Sequence, residues 1–147
     1  MSSLRLVLAA FAVTIVAAAS LLAQSGGVTY VGHEQVNGCV KGGTLVKGPD
    51  HLVQCSNRTG PGVVEIHTKE TDVIYVIDGE ATFVTGGKSP DAKAEADPNQ
   101  LRGSSIAGGD TRHLTKGDGV VVPAGTPHWF KEVPKSVAYY VVKVLKP

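Results

Sequence analysis

The chain has 147 residues, with 14 basic and 13 acidic side chains, 18 glycines and 8 prolines. A near-neutral balance without any basic run argues against nucleic acid as a partner. Frequent Gly and Pro, together with the lack of long 3.6-residue periodicity, argue against a helical bundle and for an all-β chain.

Arg5 precedes an uncharged apolar run from Leu6 to Ala23. A short positive end, an apolar stretch and small residues together make a secretory signal peptide over residues 1–23. Ala17-Ala18-Ala19 offers an Ala-x-Ala cleavage site, and cleavage after Ala23 is the second choice. About 18 apolar residues also just span a bilayer, so an uncleaved membrane anchor is the alternative. The run ends in Gln24-Ser25-Gly26-Gly27 and not in a basic stop signal, which favours cleavage. The expected product is secreted or periplasmic, with no stable membrane association. Losing the leader removes only Arg5 from the charged set and leaves 13 basic and 13 acidic residues. Residues 24–147 then suffice for one domain with one core.

Gly32 to Lys41 is the only helical stretch expected after the leader. Val36 and Val40 share a face. Gly42-Gly43 supplies the stop, and Gly38 limits the helix to two turns. Cys39 and Cys55 are the only cysteines. In an exported chain they read as a disulfide tying the helix to a first strand, Leu52 to Cys55; two buried thiols are the alternative.

Val63 to His67 is a strand whose alternation puts Glu65 and His67 on one face. Asp72 to Ile77 and Glu80 to Thr85 follow, joined by Asp78-Gly79, a strong hairpin signal. That hairpin would pair Val76 with Ala81, Ile74 with Phe83 and Asp72 with Thr85. With charged Glu80 outward, the inward set is Asp72, Ile74, Val76, Ala81 and Phe83. Gly86 to Gly109 is polar and rich in Gly, Ser, Asp and Pro, and reads as a long loop over or beside the sheet. Arg102, Arg112 and His113 are the candidate substrate-facing groups nearby.

Lys116 to Gly119 is a turn, Val120-Val121-Val122 a buried strand, and Pro123-Ala124-Gly125-Thr126-Pro127 a rigid turn. That turn aims His128 into a strand where His128 and Phe130 share a face and Trp129 takes the other. Val137 to Leu145 closes the chain as a last strand.

The spacing of Gly117, Pro123, Gly125 and His128 resembles the second motif of the cupin superfamily. Asp72 and Gly79, with His67 and Glu65 upstream, resemble its first motif in part. Together with the alternation, the resemblance implies an antiparallel jelly-roll (double-stranded β-helix) barrel of about eight strands. It also implies a metal, which cupins commonly hold with three histidines and one glutamate. Here Glu65 stands at the first histidine position and Asp72 at the glutamate position, one methylene shorter.

Two imidazoles and one or two carboxylates suit iron, manganese, nickel or zinc. The candidate ligands are His67, His128, Asp72 and Glu65, with Ile74, Phe83 and Phe130 as candidate substrate-binding residues. No Gly-x-Ser-x-Gly is present and both cysteines read as structural, so nothing points to a nucleophile. The expected activity is a metal-dependent oxygenase or isomerase acting on a small polar molecule. A non-catalytic small-ligand-binding module is the alternative, and a metal-independent barrel that matters as an oligomer is a third reading. Tyr75 and Trp129 fall on the faces opposite the pocket, which suggests a homodimer.

Overall fold

The described residues, 27–146 of a computed structural model, form one short helix and ten strands. The leader expected over residues 1–23, with its two outcomes of cleavage or anchoring, lies outside them. Helix α1, His33–Asn37, passes directly into a 3-10 turn, Gly38–Lys41, and stops at Gly42 with φ +70°. The expected apolar face does not hold it down: Val40 is 44% exposed, and the buried residue is Cys39. Cys39 is bonded to Cys55, so a covalent bridge fixes this segment to the sheet.

The strands are β1 Gly43–Lys47, β2 His51–Arg58, β3 Val64–His67, β4 Glu70–Thr85 and β5 Lys93–Ala94. They continue with β6 Gln100–Gly103, β7 Asp110–Thr115, β8 Gly119–Val122, β9 His128–Glu132 and β10 Val137–Leu145. Every pairing is antiparallel. One layer runs β1-β2-β10-β4-β8 and the other β7-β4-β9-β3-β6-β5, with β4 common to both. This is the antiparallel jelly roll, though the sheet does not close into a full barrel.

The Asp78-Gly79 hairpin does not form. Residues 70–85 are one bent strand. Its first half pairs with β10 and β8, its second half with β9 and β7. Against β10, Gly79 faces Val137 and Asp78 faces Ala138, but Tyr139 faces Val76, so Ile77 is the extra residue of a bulge. Gly79 has φ +78°, and a Cβ there would lie 2.0 Å from the Ser136 carbonyl oxygen. The left-handed glycine therefore turns a corner between layers and does not reverse the chain. A one-residue bulge flips the alternation just as a two-residue hairpin would. The inward set Asp72, Ile74, Val76, Ala81 and Phe83 is buried accordingly, although its pairing partners differ from those expected.

Ile74, Val76, Val137, Tyr139 and Val141 from one layer meet Ala81, Phe83, Leu114 and Phe130 from the other in a single core. The expected long loop is partly strand as well. β6 pairs with β3 in the register Glu65–Arg102 and His67–Gln100. The polar composition hid it because these side chains line a cavity between the layers and not an apolar core.

Candidate metal centre

Glu65, His67, Asp72 and His128 converge on one cavity of about 380 Å³ between the two layers. Glu65 and His67 come from β3 with the same facing, Asp72 from the start of β4, and His128 from the first position of β9. The turn before His128 is latched to β3: the Gly125 N–H, at φ +83°, donates to the His67 carbonyl at 2.8 Å. The two histidines are thereby held in one frame by backbone. Their ring centroids lie 5.0 Å apart, and His67, His128 and Glu65 bring ligand atoms within 4.8 Å of one another.

The tautomers follow from the partners. His128 Nδ1 faces the Thr126 carbonyl at 3.1 Å, which only accepts, so Nδ1 carries the proton. His67 Nδ1 meets Gln100 Oε1, whose amide is oriented because Gln100 Nε2 donates to Glu70 Oε1 at 3.1 Å. Both rings therefore turn Nε2 towards the cavity, the arrangement that a partner behind a metal-binding histidine produces. His67 Nε2 is buried without a hydrogen-bond partner. It faces Glu65 Oε2 at 3.4 Å and Asp72 Oδ2 at 3.5 Å, and His128 Nε2 faces the same Asp72 oxygen at 3.8 Å.

Each carboxylate also has a cation as partner. Arg58 Nη2 donates to Glu65 Oε1 at 2.6 Å, its Nε donates to the Tyr139 hydroxyl at 3.1 Å, and its guanidinium stacks 5.1 Å from the Phe130 ring centre. Lys143 Nζ donates to both Asp72 oxygens, at 2.9 and 3.1 Å, and to Glu70 Oε2 at 3.0 Å. Burial alone would raise the Glu65 carboxyl. The close approach of the His67 ring and the Arg58 and Arg102 charges outweigh it and bring the pKa down to about 2. Burial pushes the His128 imidazole below its ordinary value, which keeps it neutral and able to bind a cation.

Ile74 and Phe130 line the cavity. Phe83 does not: it is fully buried one layer behind, 4.6 Å from the Phe130 ring and 6.2 Å from the His128 ring. Arg102 lines the cavity through its place on β6. Arg112 and His113 do not. They lie on β7, more than half exposed, paired with Asp110 and Glu80.

The sequence reading missed Arg58, Glu70, Gln100, Tyr139 and Lys143. Alternation along β10, with Tyr139, Val141 and Lys143 on one face, would have pointed to an inward lysine. Extending β2 by three residues would have put Arg58 on the face of Leu52, Gln54 and Ser56.

Residues 52–147 match the family model described as cupin. The chain belongs to the cupin family. Among solved structures, this cupin resembles BH2720 from Bacillus halodurans, with a TM-score of 0.59 at 13% identity over 86% of this chain and 88% of that one. It also resembles the cupin domain of Cnp3 from Schizosaccharomyces pombe, with a TM-score of 0.51 at 12% identity over 71% of this chain and 60% of that one. Likeness at such identity is likeness of fold. No curated protein matches the sequence.

Cupins often hold a divalent metal, and the donor set here fits one. Two imidazole nitrogens and the Glu65 carboxylate group together, Asp72 stands 3.5 and 3.8 Å from the two nitrogens, and one of those nitrogens is buried without a partner.

Proposed function

We propose that this cupin binds a divalent transition metal (iron, manganese, nickel or zinc) through His67, His128, Glu65 and Asp72, and acts on a small polar molecule in the adjoining cavity. The unpartnered Nε2 of His67 carries the reading. It is buried and turned towards the oxygens of Glu65 and Asp72, a gap between donors that a bound ion would bridge. A bound ion would polarise a substrate oxygen while keeping coordination positions open, which suits an oxygenase or isomerase. The chain's own residues fix the donors: Gln100 and the Thr126 carbonyl hold the imidazole tautomers, and Arg58 orients Glu65.

Elemental analysis of the purified protein, with no metal added after lysis, tests this. About one ion per chain is expected in the wild type and a large loss in His128→Ala. An empty wild type, or equal metal in both proteins, would overturn the assignment.

A non-catalytic small-ligand-binding module is the second reading. It is favoured by the pairing of Glu65 with Arg58 and of Asp72 with Lys143, which balances those charges without an ion. An empty wild type that still takes up a small ligand would support it.

Export and self-association belong to the same proposal. The leader supports a mature start near Ser20 or Gln24, to be read by mass spectrometry of the exported fraction; an intact Met1 in a membrane pellet would favour the anchor. Tyr75 is 51% exposed, and Val73 and Val121 pair across the same outer face at 39% and 63%. That apolar strip supports a homodimer, and a monomer mass by light scattering at micromolar concentration would count against it.

A further inference from the structure

The cavity that would hold the metal is also lined by three cations, Arg58, Arg102 and Lys143. They are not equivalent. Arg58 is committed to Glu65 and Tyr139, and Lys143 to Asp72 and Glu70. Arg102 donates only to the backbone oxygen of its neighbour, Nη1 to the Leu101 carbonyl at 3.2 Å. The carboxylates of Glu95 and Glu65 stand beyond hydrogen-bond reach of its Nη2, at 3.6 and 3.9 Å. Its side chain is 30% exposed, so the planar fork stands between the cavity and solvent with donors to spare.

Charge points the same way. Against the three cations stand Glu65, Glu70 and Asp72 in the cavity lining, an even balance among the Arg, Lys and carboxylate side chains. A divalent ion drawing on Glu65 and Asp72 would turn that balance positive. It would stay positive if Glu95, 50% exposed and bridging to Arg102, were counted as well. A low-dielectric cavity with excess positive charge favours an anionic guest. A planar guanidinium with unused donors favours a carboxylate, which it binds two-pronged.

We propose that the substrate or ligand of this cavity is a small carboxylate anion, with one carboxylate held by Arg102 beside the His67–His128 centre. The inference rests on the metal reading for part of the charge excess, while the free donors of Arg102 stand without it. Arg102 here is a specificity-determining residue. It comes from a strand that no motif marks, and the Glu65–Arg102 register places it one strand away from the metal-facing carboxylate.

Isothermal titration of the purified protein with malonate and with malonamide, its uncharged counterpart of similar shape, tests the proposal. Metal content is measured on the same samples. Malonate should bind at least tenfold more tightly than malonamide. Arg102→Gln should weaken malonate tenfold or more, and Arg102→Lys should recover only part of the loss, because it keeps the charge without the fork. Equal binding of the two compounds by the wild type would overturn the proposal whether or not the variants fold, and so would malonate binding unchanged in Arg102→Gln. The metal reading fails separately: malonate binding through Arg102 in a metal-free wild type would sustain the carboxylate site and remove the metal.

Discussion

Lys143 occupies the place where a metal would draw on Asp72, and replacing it with methionine separates the two roles. The Lys143 ammonium makes three charge-assisted hydrogen bonds, two to Asp72 and one to Glu70. The three side chains are only 14%, 6% and 18% exposed. Removing one partner of a buried ion pair costs about 3–5 kcal/mol, because the remaining charge loses its compensation. The lower end applies here. Glu70 keeps its hydrogen bond from Gln100, and the freed carboxylates can take up a proton.

Lys143→Met should therefore lose about 3 kcal/mol of stability in chelator. A bound divalent ion supplies the missing positive charge, so the loaded variant should lose much less. By linkage, a penalty confined to the metal-free form tightens metal binding by the same free energy, on the order of 100-fold for 3 kcal/mol. Urea denaturation in chelator and in excess Mn²⁺, with a chelator-competition Kd, reads both effects. The same stability loss in both conditions, with no gain in affinity, would refute the reasoning and leave Lys143 as a structural cation.

Three further outcomes are expected. For the metal-free protein, Glu65 ionises in the folded state at about 2 against an ordinary 4.5, so its contribution is complete above pH 4.5 and is lost as pH falls towards 2. His128 is also lowered, from an ordinary 6.5, so the unfolded chain takes its proton first and stability should begin to fall below about pH 6.5; a flat stability profile from pH 7 to 3 would contradict both. Gly79→Ala should destabilise by about 1–3 kcal/mol or more, since φ is +78° and the added methyl meets the Ser136 carbonyl, and an unchanged Tm would show that the corner relaxes freely. Reducing the Cys39–Cys55 bridge opens a loop with a sequence separation of 16 and should cost about 3 kcal/mol, checked by denaturation with and without reductant.

What the sequence made legible depended on whether a local rule fixed the outcome. His128 was legible because Pro123, Gly125 and Pro127 restrict the backbone whatever surrounds them, and the structure adds only the latch from Gly125 to the His67 carbonyl. Glu65 and His67 were legible because strand alternation is geometric. Asp78-Gly79 was ambiguous in a definite sense. A left-handed glycine permits either a reversal or a corner, and the close passage of Ser136, 57 residues away in sequence, selects the corner. Both outcomes flip the alternation once, so the inward residues followed while their partners did not.

Arg58 and Lys143 were not legible for a related reason, and Arg102 was read only as one of three substrate-facing candidates in a loop. Arg58, Arg102 and Lys143 reach the cavity from β2, β6 and β10, three strands far apart in the chain that carry no metal motif. In isolation each is an ordinary strand residue whose charge belongs in solvent. Only the assembled layers oppose them to Glu65, Glu70 and Asp72. The motif residues thus define where an ion would sit. The residues outside the motifs set the charge that remains once it is there, and that charge governs which ligand can follow it into the cavity.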